Sequence, residues 1–132
     1  LLAGRFIIKH FVPHREALQE MQDCQVLLLL INYYPAAEGM LTTKLFEYLA
    51  SYNKILCIGP HNSEAEKLIH HYEAGKCFDI NESEAAIAYL RDLYRWWQAG
   101  KNIKNEKDVA ELSAQNQVLK FIEILNKLSI NP

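Results

Sequence analysis

At 132 residues, 50% of them apolar and 23% charged, the chain has the length and balance of one globular domain that folds without disulfide or metal staples. A net charge of -2 with scattered lysines gives no electrostatic basis for nucleic-acid binding. Three widely spaced cysteines, Cys24, Cys57 and Cys77, argue for reduced thiols in a cytoplasmic setting, and the longest apolar run, Val26 to Ile31, is far too short to span a membrane. The absence of an initiator Met suggests that the amino end of a longer parent is missing.

Residues Arg5 to His10 read as a short strand, broken by Val12-Pro13-His14, and Arg15 to Met21 then takes helical spacing with Ala17, Leu18 and Met21 on one side. Val26 to Ile31 is apolar on both faces, as a strand buried between two helical layers must be. A loop with Pro35 and Gly39 leads into a helix predicted over Thr42 to Tyr52, whose apolar side is Leu45, Phe46 and Leu49. Ile55 to Ile58 is a second all-apolar strand, stopped by Gly59-Pro60.

Ser63-x-x-Glu66 fits a capping box for a helix to about Tyr72, closed by Glu73-Ala74-Gly75. Lys76 to Ile80 is a weaker strand. Asn81-x-x-Glu84 reads as the start of a helix carrying Ile87, Leu90, Leu93, Tyr94 and Trp97 down to Gly100. Lys101 to Asn105 is a polar linker, and Val109, Leu112, Val118, Leu119, Ile122, Leu125 and Leu128 describe one long amphipathic helix or two short ones. The whole chain is thus one domain with a helical extension over 101–132.

Strands alternating with helices imply an α/β domain with a parallel sheet, in which ligands sit beyond the carboxyl ends of the strands. The loops after His10, Ile31 and Ile58 are the ones to inspect. Glu47, one turn into its helix, has the chemistry to accept hydrogen bonds from a ribose diol, against the alternative of a solvated helix carboxylate. Gly39, Thr42 and Thr43 can offer amides and hydroxyls to phosphate oxygens, although a threonine there can simply cap the helix. Glu38 is either a sugar-hydroxyl ligand or an exposed loop acid.

Histidine spacing does not favour a metal: Pro13 denies His10 and His14 helical geometry, and His70 and His71 point to different faces. Tyr94, Trp96 and Trp97 read as core and rim packing rather than a stacking platform. Neither a G-x-G-x-x-G, a P-loop nor a G-x-S-x-G elbow occurs.

The order of V-P-H-x-E-A-L, L-L-L-L-I, E-G-M-L-T-T-K-L-F-E-Y-L-A, K-I-L-C-I-G-P and A-G-K-C-F-D resembles the carboxyl-terminal half of GT-B glycosyltransferases, in the broad group containing retaining family four. The resemblance covers roughly residues 5 to 98. It implies a Rossmann-like parallel sheet of about four strands with flanking helices, part of a donor-binding domain for a nucleotide-diphosphate sugar.

By the same resemblance Glu47 holds the donor ribose. The stretch Glu38, Gly39, Met40, Leu41, Thr42 and Thr43 faces the diphosphate and sugar, and Val12, Pro13 and His14 lie by the nucleobase. Family members often carry an earlier glutamate at the position of Gly39, so Glu38 takes that role only if the loop bulges. No residue is singled out as nucleophile or general base, and no metal is required.

The resemblance further implies a sugar transferase whose acceptor, a glycan, lipid or other molecule, is held largely by an amino-terminal domain. The basic clamp on the diphosphate belongs to earlier elements, so the piece alone is expected to be inactive. The parent is expected in the cytoplasm or peripheral to the membrane. A non-catalytic nucleotide-binding or partner-docking module and a sugar-nucleotide 2-epimerase-like domain are the alternatives. Family strand order leaves the strand near Leu27 to Leu30 with a bare edge, to be covered by the first strand or by a second chain in a homodimer.

Overall fold

The computed structural model describes residues 7–129. Helix α1 (His14–Asp23) leads to β1 (Val26–Leu30), a 3-10 turn (Ala37–Gly39), α2 (Thr43–Ala50), β2 (Lys54–Ile58), α3 (Glu64–His71), β3 (Gly75–Phe78) and α4 (Ser83–Gln98). A second 3-10 turn (Ala110–Leu112) and α5 (Ala114–Ser129) complete the described chain. The three strands form one parallel sheet in the order β1-β2-β3, an α/β arrangement with flanking helices.

The sheet is all-parallel because each strand pair is joined by a helix that returns the chain to the starting edge. The alternation of side chains then divides the core. Leu27 and Leu29 of β1 with Ile55 and Cys57 of β2 face Leu45, Tyr48 and Leu49 of α2 and Ala65 and Ile69 of α3. On the other face, Leu56 and Phe78 pack against Ala86, with Tyr89 beside them, so α4 covers β2 and β3.

Among the described residues the sheet has three strands rather than about four. Ile7 to His10 form no strand, and Ile7 and Ile8 are each 87% exposed. An extended segment gains stability only from a ladder partner, and these residues have none. Arg5 and Phe6, the start of that predicted strand, lie outside the described residues. The outer edge of β1 is unpaired among the described residues, and Leu28 and Leu30 on the face beyond the reach of α4 are 51% and 63% exposed.

Several boundaries shift for local reasons. Thr42 is the cap of α2 rather than its first residue, and Tyr52, in left-handed backbone at φ 59°, lies beyond the end of the helix. Asn81 does not cap α4: its amide nitrogen donates to Asp79 at 2.8 Å, and the helix begins at Ser83. Tyr94, Trp96 and Trp97 are about half exposed, with Leu93 the residue of that turn that enters the core. In α5 the predicted apolar stripe is not buried, and Val118, Leu119, Ile122, Leu125 and Leu128 all stand open. Among the described residues no helix is long and apolar enough to cross a membrane.

Gly75 has a different task from the helix closure expected of it. Glu73, at φ 52°, takes the left-handed turn after α3, whereas Gly75 opens β3 directly opposite Ile55. A Cβ there would lie 1.9 Å from the Ile55 carbonyl oxygen, so only a glycine lets the two strands meet. Gly75→Ala is predicted to destabilise the fold by about 2 kcal/mol or more. Urea denaturation checks this, and an unchanged midpoint would mean that β2 and β3 do not close as described.

Candidate functional site

The strands fix where a site can form. Their carboxyl ends deliver three loops to one edge of the sheet: Ile31 to Thr42 after β1, Gly59 to Ser63 after β2 and Asp79 to Glu82 after β3. Helix α1 runs back towards the amino end of β1, so its own amino end, at His14, lies on the same edge. The amino end of α2 also belongs there, because α2 starts where the loop from β1 ends.

Thr42 does the local work of starting α2. Its hydroxyl oxygen accepts from the Leu45 amide at 3.3 Å, while its carbonyl accepts from the same amide at 3.0 Å. Such a cap is worth about 1 kcal/mol. The capping explanation of this threonine therefore suffices for its hydroxyl. The amides of Thr43 and Lys44 are first-turn donors, which no helix can satisfy internally, and they point out of the helix start.

Upstream, Glu38 and Gly39 belong to the 3-10 turn, and Glu38 is exposed. The Gly39 amide donates to Ala36 and the Met40 amide to Ala37, at 3.2 and 3.0 Å. Two amides expected to face an anion are thereby spent within the turn. Met40 and Leu41 expose their side chains, and the Tyr34 hydroxyl donates to the Met40 sulfur.

Glu47 sits one turn into α2, and its side chain is only 25% exposed, unlike a freely solvated helix carboxylate. His14 brings Nε2 to 3.7 Å from its Oε1. Val12 and Pro13 immediately precede that histidine, and the Pro13 carbonyl accepts from Ala17 at 3.1 Å to begin α1. The fold thus joins two groups that the sequence separates by a strand. His14 is 70% exposed, and ion pairs of that kind contribute about 0–1 kcal/mol, so the contact is weak enough to open. On its other side, Glu47 joins Thr43, Phe46, Leu112 and Ser113 in lining a cavity of about 370 Å³. That volume is within the range of small-molecule sites.

A polar network that sequence reading does not find ties the loops together. The Tyr33 hydroxyl donates to Asp79 at 2.7 Å and accepts from the Ile80 amide at 3.1 Å. His61 meets Glu66 through Nδ1 at 3.0 Å and Glu82 through Nε2 at 2.8 Å. Glu82 also accepts from the Asp79 amide at 2.7 Å. Loops after all three strands are therefore linked to one another. The loops after Ile31 and Ile58 are the right ones to inspect, but among these side chains the sequence singles out only Glu66, through the S-x-x-E pattern at Ser63, whose hydroxyl accepts from the Glu66 amide at 3.2 Å.

The two carboxylates hold the imidazolium of His61, raising its pKa to about 9, with Glu66 the larger influence. Asp79 is held below its ordinary value chiefly by the Asn81 amide and then by Tyr33, and Glu82 by the Asp79 amide and then by His61.

A larger cavity, about 660 Å³, opens at the opposite end of the sheet, where Lys54 and Gly75 start their strands. Its cations are already engaged: Lys54 donates to the Glu73 carbonyl at 2.7 Å, Lys107 donates to the His71 carbonyl, and Lys76 lies 5.5 Å from the centre of the Tyr89 ring. Size alone does not make it the better candidate. Among the described residues no group of three or more His, Cys, Asp or Glu side chains is arranged to hold a metal. Comparison with protein-family models, curated proteins and solved structures returns no match.

The raised His61 pKa sets the sign of a pH effect. Its stabilisation is complete below the unfolded value near 6.5 and is lost as pH rises through about 9. Tyr72 and Tyr89, both pushed up to about 12 by burial, titrate later. The melting temperature is predicted to step down between about pH 6.5 and 9, and His61→Gln to remove the step. A flat profile in the unaltered protein, or a step that survives the substitution, would contradict the network.

Proposed function

We propose that this domain binds the nucleotide-diphosphate sugar donor of a glycosyltransferase, as the resemblance carried by residues 38–50 implies. The observation that carries the proposal is the approach of His14 to Glu47 on the carboxyl edge of a parallel sheet. One comes from the loop assigned to the nucleobase and the other from the helix assigned to the ribose. In this reading Glu47 accepts hydrogen bonds from the ribose diol, and His14 leaves its carboxylate to lie against the base. The amides of Thr43 and Lys44 meet the diphosphate, where the helix start supplies partial positive charge.

Transfer breaks the bond between the anomeric carbon and the diphosphate, and negative charge builds on the leaving group. The residues of this domain contribute position and electrostatic stabilisation rather than a nucleophile. Glu38, exposed on the 3-10 turn, reaches the sugar hydroxyls only if that turn reshapes on binding. The acceptor, a glycan or lipid, belongs to the parent's other domain.

Titration of nucleoside diphosphates by calorimetry tests the assignment. Loss of two hydrogen bonds to a charged acceptor predicts that Glu47→Ala weakens binding by about 2–3 kcal/mol, on the order of a hundredfold. Equal affinity in the two proteins would remove Glu47 from the site. Tight binding without sugar transfer by the full-length parent would make this a nucleotide-binding module instead.

A further inference from the structure

Cys57 and Cys77 are twenty residues apart in sequence yet directly opposite each other in the ladder between β2 and β3. Parallel neighbours in exact register put their side chains on the same face. Both cysteines pack into the core on the side of α2 and α3. The two thiols differ in access: Cys57 is fully buried, whereas Cys77 is partly open to solvent. Neither takes part in the loop network or in the surface around Glu47.

The chemistry of the pair is asymmetric as well. Each sulfur influences the other's ionisation: the neighbouring Cys77, ahead of burial, raises the Cys57 thiol, and Cys57 lowers that of Cys77. Around Cys77, the His61 imidazolium favours the thiolate and the Glu66 carboxylate opposes it. The accessible sulfur is therefore the more nucleophilic of the two, and the buried one is held beside it.

We propose that Cys57 and Cys77 are a reversible redox pair, oxidised by a small hydroperoxide to a disulfide that joins β2 to β3. The Cys77 thiolate attacks the peroxide oxygen, an S–O bond forms and the O–O bond breaks. The sulfur gives up two electrons, and the leaving oxygen takes a proton to become water or an alcohol. Cys57 then attacks the resulting sulfenic sulfur: an S–S bond forms, the S–O bond breaks, and the departing hydroxide takes the Cys57 proton as water.

Strand spacing governs how durable that bond is. Adjacent strands lie about 4.8 Å apart, inside the range of Cα separations that disulfides span. The Cβ atoms must sit about 3.8 Å apart, so bond formation draws the strands together locally. A disulfide closed under such strain is readily reduced, as suits a switch rather than a permanent staple.

The test uses a Cys24→Ser protein, which removes the exposed third thiol and keeps both strands intact. It is treated with stoichiometric hydrogen peroxide, unfolded, alkylated and weighed intact. The expected result is the loss of two hydrogens and of both alkylation sites, a peptide linking Cys57 to Cys77, and recovery of both sites with dithiothreitol. In a Cys24→Ser, Cys57→Ser protein the reaction should stop at a Cys77 sulfenic acid that dimedone traps. Two thiols still open to alkylation, Cys77 carried to the sulfinic acid with Cys57 free, or a disulfide between chains would each overturn the proposal.

Discussion

The placement of β2 between two parallel neighbours is the constraint on which the rest of this structure depends. Its residues from Lys54 to Ile58 pair with β1 on one side, those from Ile55 on pair with β3 on the other, and Ile55 and Cys57 are fully enclosed. Backbone groups in such a position have no water to bond, so the register has to be complete. Gly75 permits it by letting β3 approach Ile55, and Gly59, whose Cβ would lie 2.9 Å from that of Ile31, permits it at the other end. A parallel sheet then delivers all its strand ends, with their loops, to one edge.

The interactions on that edge differ in strength and therefore in role. Links among Tyr33, Asp79, His61, Glu66 and Glu82 are short and multiple, and they hold loops from three strands in a fixed relation. The His14 to Glu47 approach is longer and exposed on one side. Cross-linked loops thus stand beside a weak, separable pair, which is what the proposed nucleotide site needs. Helix α2 adds a fixed amino end, anchored by Leu45 and Leu49 in the core. Burying each of those leucines is worth about 1.5–3 kcal/mol.

Legibility in the sequence followed the range of the interaction. Ile55 to Ile58 announces itself because a strand covered on both faces is apolar throughout, and Val26 to Ile31 carries the same apolar run although Leu28 and Leu30 stand open on one face. The capping residues Thr42 and Ser63 are equally readable, since a cap and its amide lie within three residues. The predicted strand at Arg5 to His10 failed over its described residues because its apolar pattern says nothing about whether a partner strand is present. The stripe of α5 was read correctly as a pattern, but a pattern does not supply the surface that would bury it. His61 escaped notice because its partners are 5 and 21 residues away and meet it only through the fold. Cys57 and Cys77 looked remote for the same reason, and register makes them neighbours.

The central claim is that the carboxyl edge around His14 and Glu47, rather than the larger lysine-lined cavity at the other end of the sheet, receives a nucleotide. Amide chemical-shift mapping of the labelled protein during addition of a nucleoside diphosphate tests it most directly. The account predicts that the shifting amides cluster at 12–14 and 42–47. A cluster at Lys54, Lys76 and Lys107 instead, with the α2 start unmoved, would contradict it.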